Sequence, residues 1–260
     1  MHAPDLRAHF DAIAPAYARL RDTSGDGRIT DALVRAADLA GRSVLDVGCG
    51  PGRLLADLAS RYHVRPMGVD RSPAMIAAAR AELGPSADLR VGAAEVLPYN
   101  DGEVERAVST MAVHLMDRPR AFAELRRVLR CGGQFSIATA DPAYFDQGWM
   151  APFFPSYAAA DRARFPTAGT LRAELGNSGF SDVFAESIAV PRVLTRQQAL
   201  DRLRSRAFST FEYLSDDEWR HGIRVAEQSL PDTVRYTHHM LLVAASVRSV
   251  PISTRCCPRI

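Results

Sequence analysis

A chain of 260 residues, 47% apolar and 24% charged, has the content for one well-buried domain with decorations and falls short of two full ones. Its formal net charge of +2 excludes the basic excess of a dedicated nucleic-acid or anionic-membrane binder. All 32 Lys+Arg positions are arginine, which excludes lysine Schiff-base and lysine general-base chemistry as well.

Met1-His2-Ala3-Pro4-Asp5 lacks the basic and apolar blocks of a signal peptide, and no window holds the ~18 consecutive apolar residues of a membrane span. The cytoplasm is therefore the expected compartment, with no membrane partner. Residues 4–40 read as a helical segment with a break: Leu6, Phe10, Ile13 and Tyr17 fall at helical spacing, as do Leu33, Val34, Ala37 and Ala40. The break, Asp22-Thr23-Ser24-Gly25-Asp26-Gly27, resembles the first half of a calcium loop, but the closing acidic position falls on Leu33.

From Ser43 a strand–helix alternation begins. Strands are expected at Ser43–Val47, Met67–Asp70, Asp88–Val91, Ala107–Thr110 and Gln134–Thr139. Helices are expected at Arg53–Tyr62, at Ser72–Leu83 with Ser72 as cap and Pro73 at the first position, and at Arg120–Leu129, ended by Cys131-Gly132-Gly133. Such alternation predicts a mostly parallel sheet with helices on both faces. The stretch 142–166 is broken by proline and carries seven aromatics, too apolar for a linker and too irregular for one helix. Further helices are expected at Thr170–Asn177, Thr195–Arg206 and Ser215–Ser229, the last opened by a capping box of Ser215 and Glu218. Strands follow near Val183–Val190 and at Tyr236–Val247. One domain over residues 1–247 results, with 1–40 as a helical cover, 142–170 and 195–230 as a substrate lid, and 248–260 as a tail. The cysteines Cys49, Cys131, Cys256 and Cys257 form no CxxC pair, so neither a zinc site nor a disulfide framework is expected.

The most informative run is Val44-Leu45-Asp46-Val47-Gly48-Cys49-Gly50-Pro51-Gly52. A glycine turn between strand and helix brings bare backbone to a ligand. The dinucleotide fingerprint GxGxxG would need glycine where Arg53 stands, and Asp46 just before the turn would repel a pyrophosphate. A ligand with a cationic amino-acid tail suits the run better.

The run resembles motif I of class I S-adenosylmethionine (SAM)-dependent methyltransferases, and the resemblance continues in order for about a hundred residues. Gly68-Val69-Asp70-Arg71-Ser72-Pro73-Ala74-Met75 is similar to the second motif. Gly92-Ala93-Ala94-Glu95-Val96-Leu97-Pro98-Tyr99 resembles the family's G-D-A-E-x-L-P-F segment. The stretch 107–117 resembles the fourth strand and its loop, and the stretch 124–133 the helix and turn leading to the fifth strand. The resemblance implies a Rossmann-like sheet of seven strands, the last antiparallel, and SAM as cofactor. It implies a cofactor site drawn from Tyr17, Asp46, Gly48, Cys49, Gly50, Gly52, Asp70, Arg71, Met75, Ala94, Glu95, Thr110 and Met111, with Asp70 accepting from both ribose hydroxyls and Arg71 flanking the adenine. Two positions depart from the family: Ala93 stands where an aspartate accepts from the adenine amino group, and Pro51 removes a backbone donor from the turn.

Methyl transfer from a sulfonium asks the protein mainly to align the acceptor and exclude water; a base is needed only where the acceptor has a proton to lose. His114, in His114-Leu115-Met116-Asp117 after the fourth strand, is the leading candidate, ahead of Asp141, Tyr144 and His221. The stretch 110–113 lacks the Asn/Asp-Pro-Pro-aromatic tetrad of nucleic-acid amine methylators, and no acidic cluster for a metal lies nearby. A small-molecule acceptor is expected, O-, C- or N-methylated without metal or nucleic acid by a monomer or homodimer, as in secondary metabolism. Its walls are expected from the aromatic insertion and from the helices carrying Arg202, Arg204, Arg206, Phe208, Phe211 and Tyr213, the arginines being candidates for a carboxylate or phosphate. The alternatives are a non-catalytic SAM- or nucleoside-binding protein, and a SAM-dependent enzyme of non-methyl chemistry.

Overall fold

The computed structural model describes residues 10, 11, 13, 27–206 and 208–248. Their elements run α1 (Arg28–Ala37), β1 (Ser43–Val47), α2 (Arg53–Tyr62), β2 (Arg65–Asp70), α3 (Pro73–Leu83), β3 (Asp88–Val91), β4 (Val104–Thr110), α4 (Arg118–Val128) and β5 (Leu129–Ala140). The second part adds α5 (Tyr157–Arg162), α6 (Ala168–Asn177), β6 (Ser181–Thr195), α7 (Arg196–Arg204), α8 (Asp216–Ser229) and β7 (Thr233–Ser246). Seven strands form one sheet in the order β3-β2-β1-β4-β5-β7-β6. The first five are parallel, and β7 lies antiparallel between β5 and β6.

Residue parity shows why helices cover both faces. On β1, Leu45 and Val47 join one core with Phe122 and Leu125 of α4 and Leu171 and Leu175 of α6. Val44 turns the other way, onto Leu33, Val34 and Ala37 of α1 and Leu58 of α2. Successive side chains of a strand face opposite sides, so a run apolar at both parities must be covered twice.

The amino ends of the strands are fastened by charge. Glu105, 8% exposed, accepts from the Ser43 amide and hydroxyl at 3.2 Å each and from Arg42, Arg65 and Arg130. Arg106, 6% exposed, donates to the carbonyls of Ala37, Asp38 and Glu105 and to the Asp38 carboxylate. The carboxyl ends are where ligands of such sheets bind.

Several boundaries differ from the sequence expectation. Helix α4 stops at Val128 and β5 starts at Leu129, so Cys131-Gly132-Gly133 is a bend inside the strand, with Gly132 at φ 72°. Ser215 caps α8 through the Glu218 amide, but the Glu218 carboxylate accepts from the Ser156 amide at 2.8 Å, so the expected box is half made. A complete box closes on α7 instead, between Thr195 and Gln198.

The segments after β5 build a core of their own beside the sheet. Met150, Phe154 and Tyr157 pack with Leu194, Leu200, Leu203, Phe211, Ala226 and Val234. This cap joins α5, α7 and α8 to the far halves of β6 and β7.

Candidate active site

Three features bring the motif residues together. The Gly48 and Cys49 amides donate to the Val69 carbonyl, which holds the turn after β1 against the end of β2. The Gly50 amide donates to Asp70 Oδ2 at 2.9 Å, and the Ser72 amide to Oδ1 at 2.9 Å. Ser109 Oγ donates to the Val47 carbonyl at 2.8 Å, locking the end of β4 to β1. Gly48 is needed twice over: its φ is +80°, and an added Cβ would lie 2.5 Å from Cβ of Ala112.

Above this turn lies a cleft of about 760 Å3, open solvent included, lined by Gly48, Gly50, Val69, Asp70, Arg71, Met75, Gly92, Ala94, Thr110 and Met111, among others. Phe10 closes one side, and Asp11 accepts a short hydrogen bond from Ser72 Oγ, which also caps α3. Burial pushes the Asp70 carboxyl above its ordinary range, while the Ser72 and Gly50 amides and Arg71 pull the other way. Each Asp70 oxygen keeps a second lone pair for a ligand hydroxyl.

Asp46, 2% exposed at the end of β1, has its Oδ1 buried without a hydrogen-bond partner. Burial first, and the neighbouring Asp70 charge second, push its carboxyl up to about 8. Two carboxyls at one turn, one of them short of a donor, make a position that lacks positive charge. A nucleoside with a diol and a cationic amino-acid tail supplies what both carboxyls lack, so the residues present fit SAM.

A second cavity, about 1320 Å3 with its open solvent, lies between the sheet ends and the cap. It shares Thr110 and Met111 with the first. Met111 has φ +53°, a left-handed conformation that ordinary side chains rarely adopt, and its amide donates to the Ala138 carbonyl at 2.8 Å. Thr110 Oγ1 is buried with no hydrogen-bond partner. His114 lines the second cavity, its ring stacked on Phe165 at 3.9 Å between centroids, and Tyr144 stacks on His239 at 3.7 Å.

Of the residues expected at the cofactor, Gly48, Gly50, Asp70, Arg71, Met75, Ala94, Thr110 and Met111 line the first cleft. Asp46, Cys49, Gly52 and Glu95 lie outside its lining. Gly52 caps α2, and Cys49 is buried in the core with Leu55 and Leu89, where burial pushes its thiol up. Glu95 accepts from the Asp117 amide at 2.9 Å and from Arg71 at 3.2 Å, bracing two loops at the cleft. Tyr17, Cys256 and Cys257 lie outside the described residues, as does the Asp22–Asp26 part of the calcium-like run. The Ala93 side chain does not line the cleft; its carbonyl accepts from the Val96 amide. Asp141 and Tyr144 line the second cavity, whereas exposed His221 lines neither. Phe10, Val69, Gly92, Ala112, Leu115 and Met116 line the cleft without having been expected there; helical spacing singled out the first, and the others fall inside the stretches 68–75, 92–99 and 107–117.

The lid aromatics divide their tasks. Phe154 and Phe211 serve only the cap core, Trp149, Tyr157 and Phe208 belong to both core and cavity, and Tyr144, Phe145 and Phe165 line the cavity alone. Among the described residues no group of three or more His, Cys, Asp or Glu is placed to hold a metal, and no helix is long and apolar enough to cross a membrane.

A family profile described as a methyltransferase domain matches residues 44–133. A "probable S-adenosylmethionine-dependent methyltransferase" of Mycolicibacterium smegmatis is 38% identical over 120 residues, 45% of this chain and 45% of that protein. A malonyl-[acyl-carrier protein] O-methyltransferase of Geobacter sulfurreducens is 35% identical over 190 residues, 68% of this chain and 67% of that protein. The match thus spans less than half of the first relative's length. Among solved structures, a phosphoethanolamine N-methyltransferase of Haemonchus contortus in complex with SAM has TM-score 0.61 and 18% identity, over 95% of this chain and 60% of that one, a likeness of fold.

Proposed function

Because the chain belongs to the class I SAM-dependent methyltransferases, we propose that it methylates a small-molecule acceptor, on oxygen, carbon or nitrogen, bound in the cavity beneath the cap. The observation that carries this reading is the shared wall: Thr110 and Met111 border both the cofactor cleft and the second cavity. Two ligands that meet at one wall are held for in-line transfer between them, which converts a bimolecular step into an intramolecular one.

SAM supplies a methyl group already activated on a sulfonium, so no further activation of the donor is needed. The remaining work belongs to this chain's residues. Asp70 is assigned to the ribose hydroxyls, the backbone at Gly48 and Gly50 to the amino-acid tail, and Asp46 to that tail's positive charge. Ala94 and Arg71 are assigned to the adenine. Phe145 and Phe165, edge to face at 5.3 Å, exclude water from the acceptor side. His114 takes the proton of an acceptor that has one to lose; its position on the second cavity supports that role. Tyr17 is proposed to extend the cover that Phe10 begins.

The test is a mass-spectrometric search for SAM-dependent +CH2 products in pools of phenolic, carboxylic and amine metabolites. A product formed by the wild type and not by Asp70→Ala supports the reading. Tight SAM binding without transfer to any pool would favour a SAM-binding protein of other chemistry.

A further inference from the structure

The cap brings an unusual pair of charges to the second cavity. Arginine supplies all 32 Lys+Arg positions of this chain, and most of the guanidinium groups around the cap are engaged. Arg204 pairs with Glu227 at 2.6 Å, and Arg206 pairs with Asp216 at 2.5 Å while stacking over Trp219. Arg164 donates to Ser209 and pairs with Asp161, and Arg196 donates to the Leu230 and Glu227 carbonyls. Arg192 of β6 and Arg202 of α7 are different. Both are half-buried and line the cavity, and among the described residues neither guanidinium has a hydrogen bond or an ion pair.

The carboxylates on the same walls do not answer them. Asp161 accepts from Thr210 Oγ1 at 2.6 Å and is paired to Arg164. Asp141 accepts from the Ala143 amide at 3.1 Å, capping the short turn after β5. Taking a guanidinium partly out of water without a partner is costly, and two of them facing one aromatic-walled space make that space selective for negative charge. A guanidinium presents a planar fork of donors that matches a carboxylate or a phosphate.

We propose that the methyl acceptor carries an anionic group, a carboxylate or a phosphate, held by Arg192 and Arg202. The proposal rests on the reading of this cavity as the acceptor site. Both arginines come from the cap, and neither lines the cofactor cleft. The anion is therefore a handle: it anchors the acceptor at the cap while another atom of the molecule meets the wall at Thr110 and Met111. The stacked rings of His114 on Phe165 and of Tyr144 on His239 suit a flat body between the two ends.

The test uses the full chain saturated with S-adenosylhomocysteine and titrates three probes by calorimetry: 4-hydroxybenzoate, phenyl phosphate and the neutral 4-hydroxybenzamide. At least one anion is expected to bind roughly tenfold tighter than the amide, as a charge-assisted contact gives. Which anion wins distinguishes a carboxylate from a phosphate. Arg202→Gln and Arg192→Gln should each shrink that preference, and the double variant should abolish it, with S-adenosylhomocysteine affinity unchanged as the check on folding. The proposal is overturned if the amide binds as tightly as both anions, if the preference survives in the double variant, or if no probe binds at millimolar concentration. Failure of the methyltransferase reading looks different: the wild type then does not bind S-adenosylhomocysteine, whatever the anion preference of the cavity.

Discussion

Asp46 pairs in register with Gly68, two residues before Asp70, so the β1–β2 pairing itself sets two carboxyls side by side. Its carboxyl, pushed up to about 8 by burial and by Asp70, lies well above the ~3.9 of an unfolded chain. A folded-state pKa raised in this way contributes stability that is fully present below the unfolded pKa and is lost as pH rises through about 8. Asp46→Asn has no such loss. Chemical denaturation without ligand, from pH 5 to pH 9, should show the variant gaining on the wild type by a few kcal/mol as pH rises; parallel profiles would contradict the assignment. His114 makes the contrasting case, since it lines the second cavity and not the first cleft. With a protonated acceptor from the metabolite screen, His114→Gln should slow turnover by about a hundredfold. SAM affinity by calorimetry should stay within about twofold. An unchanged kcat would remove His114 from the chemistry.

At the scale of elements, the cap has its own tight points. Gly222 of α8 packs so closely that an added Cβ would lie 2.3 Å from Phe154 Cε1 and 2.6 Å from the Phe153 carbonyl oxygen. Gly222→Ala gains about 1 kcal/mol of helix propensity but loses about 1–3 kcal/mol to overpacking. Because Phe154 is buried in the cap core, the loss should appear as a raised KM for the acceptor with an unchanged SAM dissociation constant. A change confined to SAM binding would show that the cap is not an acceptor element. The elements also show what was readable in advance. Strand β1 matches its expected bounds, Ser43–Val47, because an apolar run between polar flanks leaves no choice of end. Strand β6 was expected near Val183–Val190 and runs Ser181–Thr195. Pro191 hid the remainder: proline cannot donate to a ladder, but among the described residues β6 pairs only with β7 and lies at the sheet edge, where that is tolerated.

At the scale of the whole molecule, the sheet and the turn after β1 were legible because strand, glycines and helix are contiguous in the chain. The same contiguity singled out Asp70, capped helix and all. The second cavity, the proposed acceptor site, was not legible in that way. Its walls come from the end of β4, the turn after β5, α5, α7 and the antiparallel β6–β7 pair, and no local pattern tells which of the Arg202, Arg204 and Arg206 side chains turns inward. The charge network around Glu105 and Arg106 sits at the amino ends of the strands, opposite the two cavities, so the clamp and the proposed site occupy opposite edges of one sheet.

The claim on which all of this depends is that the cleft at Gly48, Gly50 and Asp70 holds SAM, and calorimetric titration of wild type and Asp70→Ala tests it most directly. Loss of the Asp70 hydrogen bonds to a bound diol should weaken SAM and S-adenosylhomocysteine at least about tenfold, with the wild type binding both. Equal affinities for the two proteins, or no binding to the wild type at millimolar ligand, would contradict the account.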